Sequence, residues 1–298
     1  MGHALPRKDS PGMSLRINFN SASLSAQRAL SRTQDDYARS AQRISTGKRI
    51  NSAADDAAGL AVSTKLKAQI SGLNQAQKNV QDGINAIAIS EGALSQMHAL
   101  LSRMRELAVQ AATATVTDSD RAQSNAEFTA LRTEIDRLGA STAYASIKLL
   151  DGSATAFQLQ VGANSGDTMT VAFPTANLAG IDTTIGAMPT PPAQPSLTAA
   201  VIDTQTNANQ SIDTLDAAIE AVSTYRASLG SMSNRLETTS DNLATAMENV
   251  SAANSRIEDA DIASEMSELV RTQILQQAGI AILSQANQAP QSVLKLLQ

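Results

Sequence analysis

Apolar residues recur along this chain at helical spacing, in two long stretches. The first opens with Gln27, Leu30, Gln34, Tyr37, Ala41 and Ile44, which step alternately by three and four. That spacing predicts one face of a helix over 20–44. Gly47, Asn51 and Gly59 then interrupt the pattern, so STGKRINSAADDAAG reads as a bent connection. A stronger pattern follows. Leu66, Leu73, Val80, Ile87, Leu94, Leu101 and Ala108 stand seven apart. Ile70 and Ile84 add a companion row, which Met97 and Met104 continue with a drift of one residue. A helix over 60–111 would be roughly 75 Å long at the α-helical rise. A helix of that length buries too little alone and needs a partner seam.

The second stretch offers one. Leu215, Val222, Leu229, Leu236, Leu243, Val250 and Ile257 are again seven apart, flanked by Ile212, Ile219 and Met247. Lengthwise packing of the two helices within one chain is the expectation. The alternative is that each pairs with its own counterpart in a second copy. Elements able to return the chain lie between them. A helix is predicted over 118–138, with Thr117 or Asp118 as N-cap, Gly139 near its end, and Phe128, Leu131, Ile135 and Leu138 on one side. FQLQV-GANSGD-TMTVAF reads as a hairpin, because Phe157, Leu159 and Val161 alternate, as do Met169, Val171 and Phe173. Its apolar face would cap the end of the bundle. In 258–298, Met266, Val270, Ile274 and Ala278 share a face, with Leu269 and Ala281 beside them. The best mate for this last helix is the one at 20–44, and Pro290 is expected to stop or kink it.

The eight prolines agree with this map, since none falls in 13–173 or 196–289. The fold class expected is therefore mainly α: a long antiparallel coiled-coil bundle formed from both chain halves, with a small β-hairpin region. Composition narrows the chemistry. Hydrophobic residues make up 42% but aromatics only 2%, so the core must rest on aliphatic side chains and methionine. Without Cys there is no disulfide frame, thiolate metal site or cysteine nucleophile. The net charge of −5 comes with no basic stripe, which argues against nucleic acid as a partner. No apolar run is long enough for membrane insertion. The histidines are His3 and His98, and HExxH, a P-loop and a strand-borne GxGxxG are all missing. An enzyme, a cofactor or a bound metal is not expected. The acidic clusters Asp35–Asp36, Asp55–Asp56 and Glu258–Asp259–Asp261 read as solvated faces, helix starts and linker turns.

Several separate motifs then point to one family. SLRINFNSASLSAQRAL, ISTGKRINSAADDAAGLAVSTKL and MRELAVQAATAT closely resemble the N-terminal half of bacterial flagellin, and FQLQVGANSGDTM resembles its hairpin. SRIEDADIASEMSELVRTQILQQAGIAILSQANQAPQSVLKLL resembles its C-terminal end. The motifs occur in order and cover nearly all of 14–173 and 200–298. The resemblance implies an inner coiled-coil domain from 13–56 and 258–298, and an outer helical domain from 57–173 and 199–257. Residues 174–198 stand as a short remnant of the family's variable region. Residues 1–12, MGHALPRKDSPG, read as a disordered leader from an upstream start or a cloning remnant.

Function follows as an expectation: a secreted, extracellular structural subunit that polymerises into the flagellar filament for swimming. Leu24, Leu30, Tyr37, Ile44, Met266, Val270, Ile274, Leu283 and Leu294 are the candidate polymerisation residues, as the apolar stripes of the two chain ends. Both end helices are expected to be loosely ordered until a neighbouring subunit buries them. The resemblance further implies several partners: a homopolymer, a flagellar export chaperone on the C-terminal helix, the flagellar secretion apparatus, and hook-associated and cap proteins. MRELAVQ is similar to the flagellin segment read by a host Toll-like receptor, which implies Arg103, Leu107 and Glu127 as contacts. The family's next basic contact position holds Leu131 here. Two alternatives stand beside the filament subunit. A hook–filament junction protein shares the terminal helices. A coiled-coil secretion-needle or effector component would lack the two-ended match.

Overall fold

The computed structural model describes residues 20–153, 156–187 and 196–296, without the side chains of 183–187 and 289–296. Six helices dominate: α1 (Ser21–Thr46), α2 (Ala57–Ala112), α3 (Asp118–Ser141), α4 (Leu178–Ala187), α5 (Gln205–Glu258) and α6 (Ile262–Leu296). Two antiparallel pairs complete the fold, β1 (Ala143–Tyr144) with β2 (Ile147–Lys148) and β3 (Ala156–Gln160) with β4 (Thr168–Ala172). The chain forms two compact units. One joins the described residues up to Lys65 with those from Ala252 onward, and the other is Leu66–Ser251.

In the Leu66–Ser251 unit, α2 and α5 run antiparallel. Arg105 donates to Asp216 at 3.2 Å, Arg226 to Glu91 at 2.6 Å, and the Gln205 amide to the Ala112 carbonyl at 3.0 Å. The heptad positions are the core: Leu73, Val80, Ile87, Leu94, Leu101 and Ala108 on α2, and Leu215, Val222, Leu229, Leu236 and Leu243 on α5, are all buried. Pairing with a second copy is therefore not needed to cover these seams. The companion row differs from expectation. Gly83 and Ser90, not Ile84, are the buried positions preceding Met97 and Met104. The reason is the hairpin. A Cβ on Gly83 would stand 2.3 Å from Leu159 Cδ1, and one on Gly72 would stand 2.9 Å from Ala163 Cβ. Small residues on α2 thus let the β3–β4 hairpin lie directly on the helix, held by Asn79 donating to the Gln160 carbonyl at 3.0 Å. Phe157 and Phe173 meet edge-to-face with ring centres 5.0 Å apart.

Local signals behave as their chemistry requires. Thr117 caps α3, accepting from Asp120 N, and the helix passes Gly139 to end at Thr142. Arg121 is buried and donates to the Ala111 and Thr113 carbonyls at 2.8 and 2.9 Å, satisfying the open C-terminus of α2. The segment read as a variable-region remnant contributes to the core. Leu178 and Ile181 of α4, with Leu197, Ala200 and Ile202 after it, are buried, and Asp182 accepts from the backbone N–H groups of Leu197 and Thr198. The leader at 1–12 lies outside the described residues.

In the other unit, α1 and α6 pack antiparallel, as expected for the two chain ends. Ser23 Oγ donates to Asn287 at 2.7 Å at one end, and Arg43 donates to Glu265 at 3.0 Å toward the other. Gly47 ends α1 in the left-handed conformation, φ 70°, its N–H donating to the Arg43 carbonyl at 2.8 Å. Pro290 does not stop α6, which continues to Leu296. Proline has no N–H for the carbonyl four residues back. That carbonyl belongs to Ala286, and Asn20 Nδ2 donates to it at 2.9 Å while Asn20 Oδ1 caps α1 by accepting from Ser23 N at 3.0 Å.

Candidate self-assembly surface

The surface begins with the start of α6. Asp261 accepts from Ala263 N at 2.9 Å and Ser264 N at 3.4 Å, the side-chain cap that starts the helix. Ahead of it, a buried polar knot ties the two connections of this unit together. Glu258 is only 3% exposed; Lys48 Nζ lies 2.8 Å from its carboxylate and Ser63 Oγ donates to it at 2.6 Å. Backbone bonds reinforce the knot: Arg49 N donates to the Glu258 carbonyl at 2.7 Å and Ala260 N to the Gly47 carbonyl at 2.9 Å. Glu258 is therefore a buried ion-pair partner and not a solvated acid, because Lys48 and Ser63 arrive from distant sequence to neutralise it. An acidic run alone does not disclose that. Asp55 does sit in a linker turn. Its carboxylate is held below the ordinary carboxylate range by the hydroxyl and the N–H of Ser52, and then by Asn51 N–H.

Beyond the knot, α1 and α6 share a seam. Positions 23, 26, 30, 33, 37, 40 and 44 are buried or half-buried on α1, with the capping Gly47 continuing the row, and so are positions 265, 269, 272, 276, 279, 283 and 286 on α6. Both sets alternate steps of three and four, the signature of helices packed lengthwise. On α1, Leu30, Tyr37 and Ile44 keep their expected places and Ala41 is half-buried, but Ala26, Thr33 and Ser40 complete the row, and Gln27 and Gln34 are exposed. On α6 the row sets Leu269, Leu283 and Ala286 among small and polar positions: Thr272 is buried with its hydroxyl donating to the Glu268 carbonyl, and Gly279 lies against Leu30, which a Cβ there would meet at 3.2 Å.

A second row of α6 faces solvent. Met266 is 45% exposed, Val270 47% and Ile274 60%, and Ile262, Leu275, Ile280 and Ile282 are exposed with them. A helix with apolar residues nearly all round belongs in an interior. Here α1 covers one side only. The nine candidate polymerisation residues therefore divide. Leu30, Tyr37, Ile44 and Leu283 are half-buried in the seam, with Leu24 half-buried beside it. Met266, Val270 and Ile274 lie open. The side chain of Leu294 falls outside the described residues. Ile262, Leu275, Ile280 and Ile282 extend the open set; the run of apolar residues through 262–283 was their only sequence signal.

A second constellation lies in the Leu66–Ser251 unit. Arg103 on α2 donates to Glu106 at 3.0 Å and to Glu127 on α3 at 3.1 Å. Those carboxylates, Glu106 foremost, raise the guanidinium pKa above its ordinary value. Leu107 is only 3% exposed and belongs to the core of the unit. Among the described residues no group of three or more His, Cys, Asp or Glu side chains is placed to hold a metal, and no helix is long and apolar enough to cross a membrane.

These features define a mainly helical protein in which α1 and α6 pair in one unit and leave an apolar row of α6 open. The sequence matches the bacterial flagellin N-terminal helical region over residues 17–155 and the C-terminal helical region over 212–297. It is 46% identical over 282 residues to a flagellin of Halalkalibacterium halodurans, covering 95% of this chain and 99% of that one. It is 39% identical over 299 residues to the flagellar filament 33 kDa core protein of Treponema phagedenis, covering 95% and 99%. A solved structure described as a flagellar hook-associated protein of Vibrio parahaemolyticus shares the fold, with TM-score 0.55 and 18% identity over 69% of this chain and 100% of that one. The chain belongs to the bacterial flagellin family.

Proposed function

We propose that this chain is a structural subunit that polymerises into the bacterial flagellar filament outside the cell, and that α6 carries the contact between neighbouring copies. One observation carries the assignment of the contact: α1 covers one row of α6, in which Leu269 and Leu283 stand among small and polar residues, and leaves a second, apolar row in water. Each Leu, Ile or Val that becomes fully buried contributes roughly 1.5–3 kcal/mol, less the cost of ordering the chain. A repeating surface that meets a different surface on the next copy yields an open helical polymer. The naming of relatives as filament core proteins supports the same reading. Seeded growth followed by electron microscopy tests it. Full-length subunits should elongate filament fragments, and a chain ending at Glu258 should not. Elongation by the truncated chain would remove α6 from the mechanism, and a short stack in place of long filaments would favour a hook–filament junction role.

Export and recognition belong to the same reading. The subunit leaves the cell unfolded through the flagellar secretion apparatus, which the absence of Cys suits. An export chaperone covers the open face of α6 until then, and hook-associated and cap proteins meet the filament ends. Calorimetry of the chaperone with a 258–298 fragment checks the first of these contacts. Arg103 and Glu127, both exposed, are the accessible contacts for a host Toll-like receptor, with Leu107 buried in the core of the unit. Arg103→Asp should abolish receptor signalling.

A further inference from the structure

We infer that Met266 is an oxidation site through which peroxides withhold the free subunit from the filament. Among the described methionines, Met97 and Met104 are fully buried, and Met169, Met232 and Met247 are half-buried. Met266 is 45% exposed and stands in the open row of α6 between Ile262 and Val270. Among the described methionines, its thioether is therefore the one that meets solvent within the open apolar row of α6. The sulfur lone pair of Met266 attacks one oxygen of hydrogen peroxide. An S–O bond forms, the O–O bond breaks, and the departing hydroxide takes the proton of the hydroxyl now on sulfur and leaves as water. Sulfur is oxidised to the sulfoxide and the peroxide is reduced. The product is polar and a strong hydrogen-bond acceptor. Ile262 and Val270 offer its oxygen no side-chain donor, so covering this face would desolvate it without return. In an assembled filament the same sulfur is sheltered, which makes the sensitivity a property of the unassembled subunit.

This inference rests on the assembly reading, and the test separates the two. Full-length subunits and preformed filaments are treated with hydrogen peroxide, oxygen uptake is located by peptide mass spectrometry, and elongation of seeds is measured. Met266 should take up oxygen ahead of Met169, Met232 and Met247 in the free subunit, and more slowly in the filament. The critical concentration of the oxidised subunit should rise about tenfold. Methionine sulfoxide reductase should restore it, and Met266→Leu should lose the peroxide response, its critical concentration being the same after treatment as before, whatever its starting value. Oxidation of Met232 or Met247 first, normal elongation by the sulfoxide, or equal inhibition of Met266→Leu would each overturn the inference while leaving the assembly reading standing. Failure of the untreated wild-type chain to elongate seeds would bring down the assembly reading, and this inference with it.

Discussion

Shortening Ile274 to alanine removes apolar surface that the single chain leaves in water. Ile274 is 60% exposed, among the most exposed large apolar side chains described. Full burial of an isoleucine is worth about 1.5–3 kcal/mol, so at this exposure roughly 1–2 kcal/mol remains to be gained when a neighbour covers it. Loss of that gain should raise the critical concentration for elongation about 5–30-fold. The folded subunit should hardly notice. Substitutions at exposed positions stay within about 0.5 kcal/mol, and alanine favours a helix slightly more than isoleucine does. Sedimentation of seeded reactions measures the first quantity and thermal unfolding the second. Leu283→Ala is the informative partner, because Leu283 is half-buried in the α1–α6 seam. It should lower both stability and assembly. A wild-type critical concentration for Ile274→Ala would refute the claim that the open row of α6 is covered on assembly.

Three further outcomes follow from single contacts. A methyl group added at Gly92 would meet nothing within 4 Å, whereas at Gly72 the new Cβ would meet Ala163 Cβ at 2.9 Å and its Cα at 3.3 Å; thermal unfolding should therefore show Gly92→Ala stabilising by up to about 1 kcal/mol and Gly72→Ala giving no gain or a loss. Asn20→Ala should destabilise the α1–α6 pair by about 1–3 kcal/mol, and Asn20→Asp by less, since aspartate keeps the cap on Ser23 N but loses the donor to the Ala286 carbonyl; hydrogen exchange in α1 and α6 reads this. The folded-state pKa of Asp55 is depressed, so its contribution is present above the ordinary carboxylate range and is lost as pH falls through the lowered value. Amide exchange at Asn51 and Ser52 should be faster in Asp55→Asn than in wild type at neutral pH and equal in strongly acidic solution.

Much of this molecule could be read from spacing alone. Seven-residue repeats through Leu73–Ala108 and Leu215–Leu243 demand a lengthwise partner wherever they occur, because a long helix cannot bury such a row by itself. Thr117 as a cap and the alternation around GANSGD are equally local, and so is the exclusion of thiol chemistry by composition. Tertiary structure decided what local pattern cannot encode, namely which neighbour covers which face. Hydrophobicity marked Met266, Val270 and Ile274 as a face needing cover but did not say whose. Leu30, Tyr37 and Ile44 fill the α1 side of the seam, the α6 side presents Leu269, Thr272, Gly279 and Leu283, and the row through Met266, Val270 and Ile274 is left uncovered. Glu258 looked like one of several surface acids until Lys48 and Ser63 closed around it. Pro290 read as a helix stop or kink; α6 runs past it to Leu296, and the Asn20 amide supplies, from distant sequence, the donor that proline lacks. In each case the deciding group is far away in sequence, and its effect depends on distances of a few ångströms that exist only after the chain has folded.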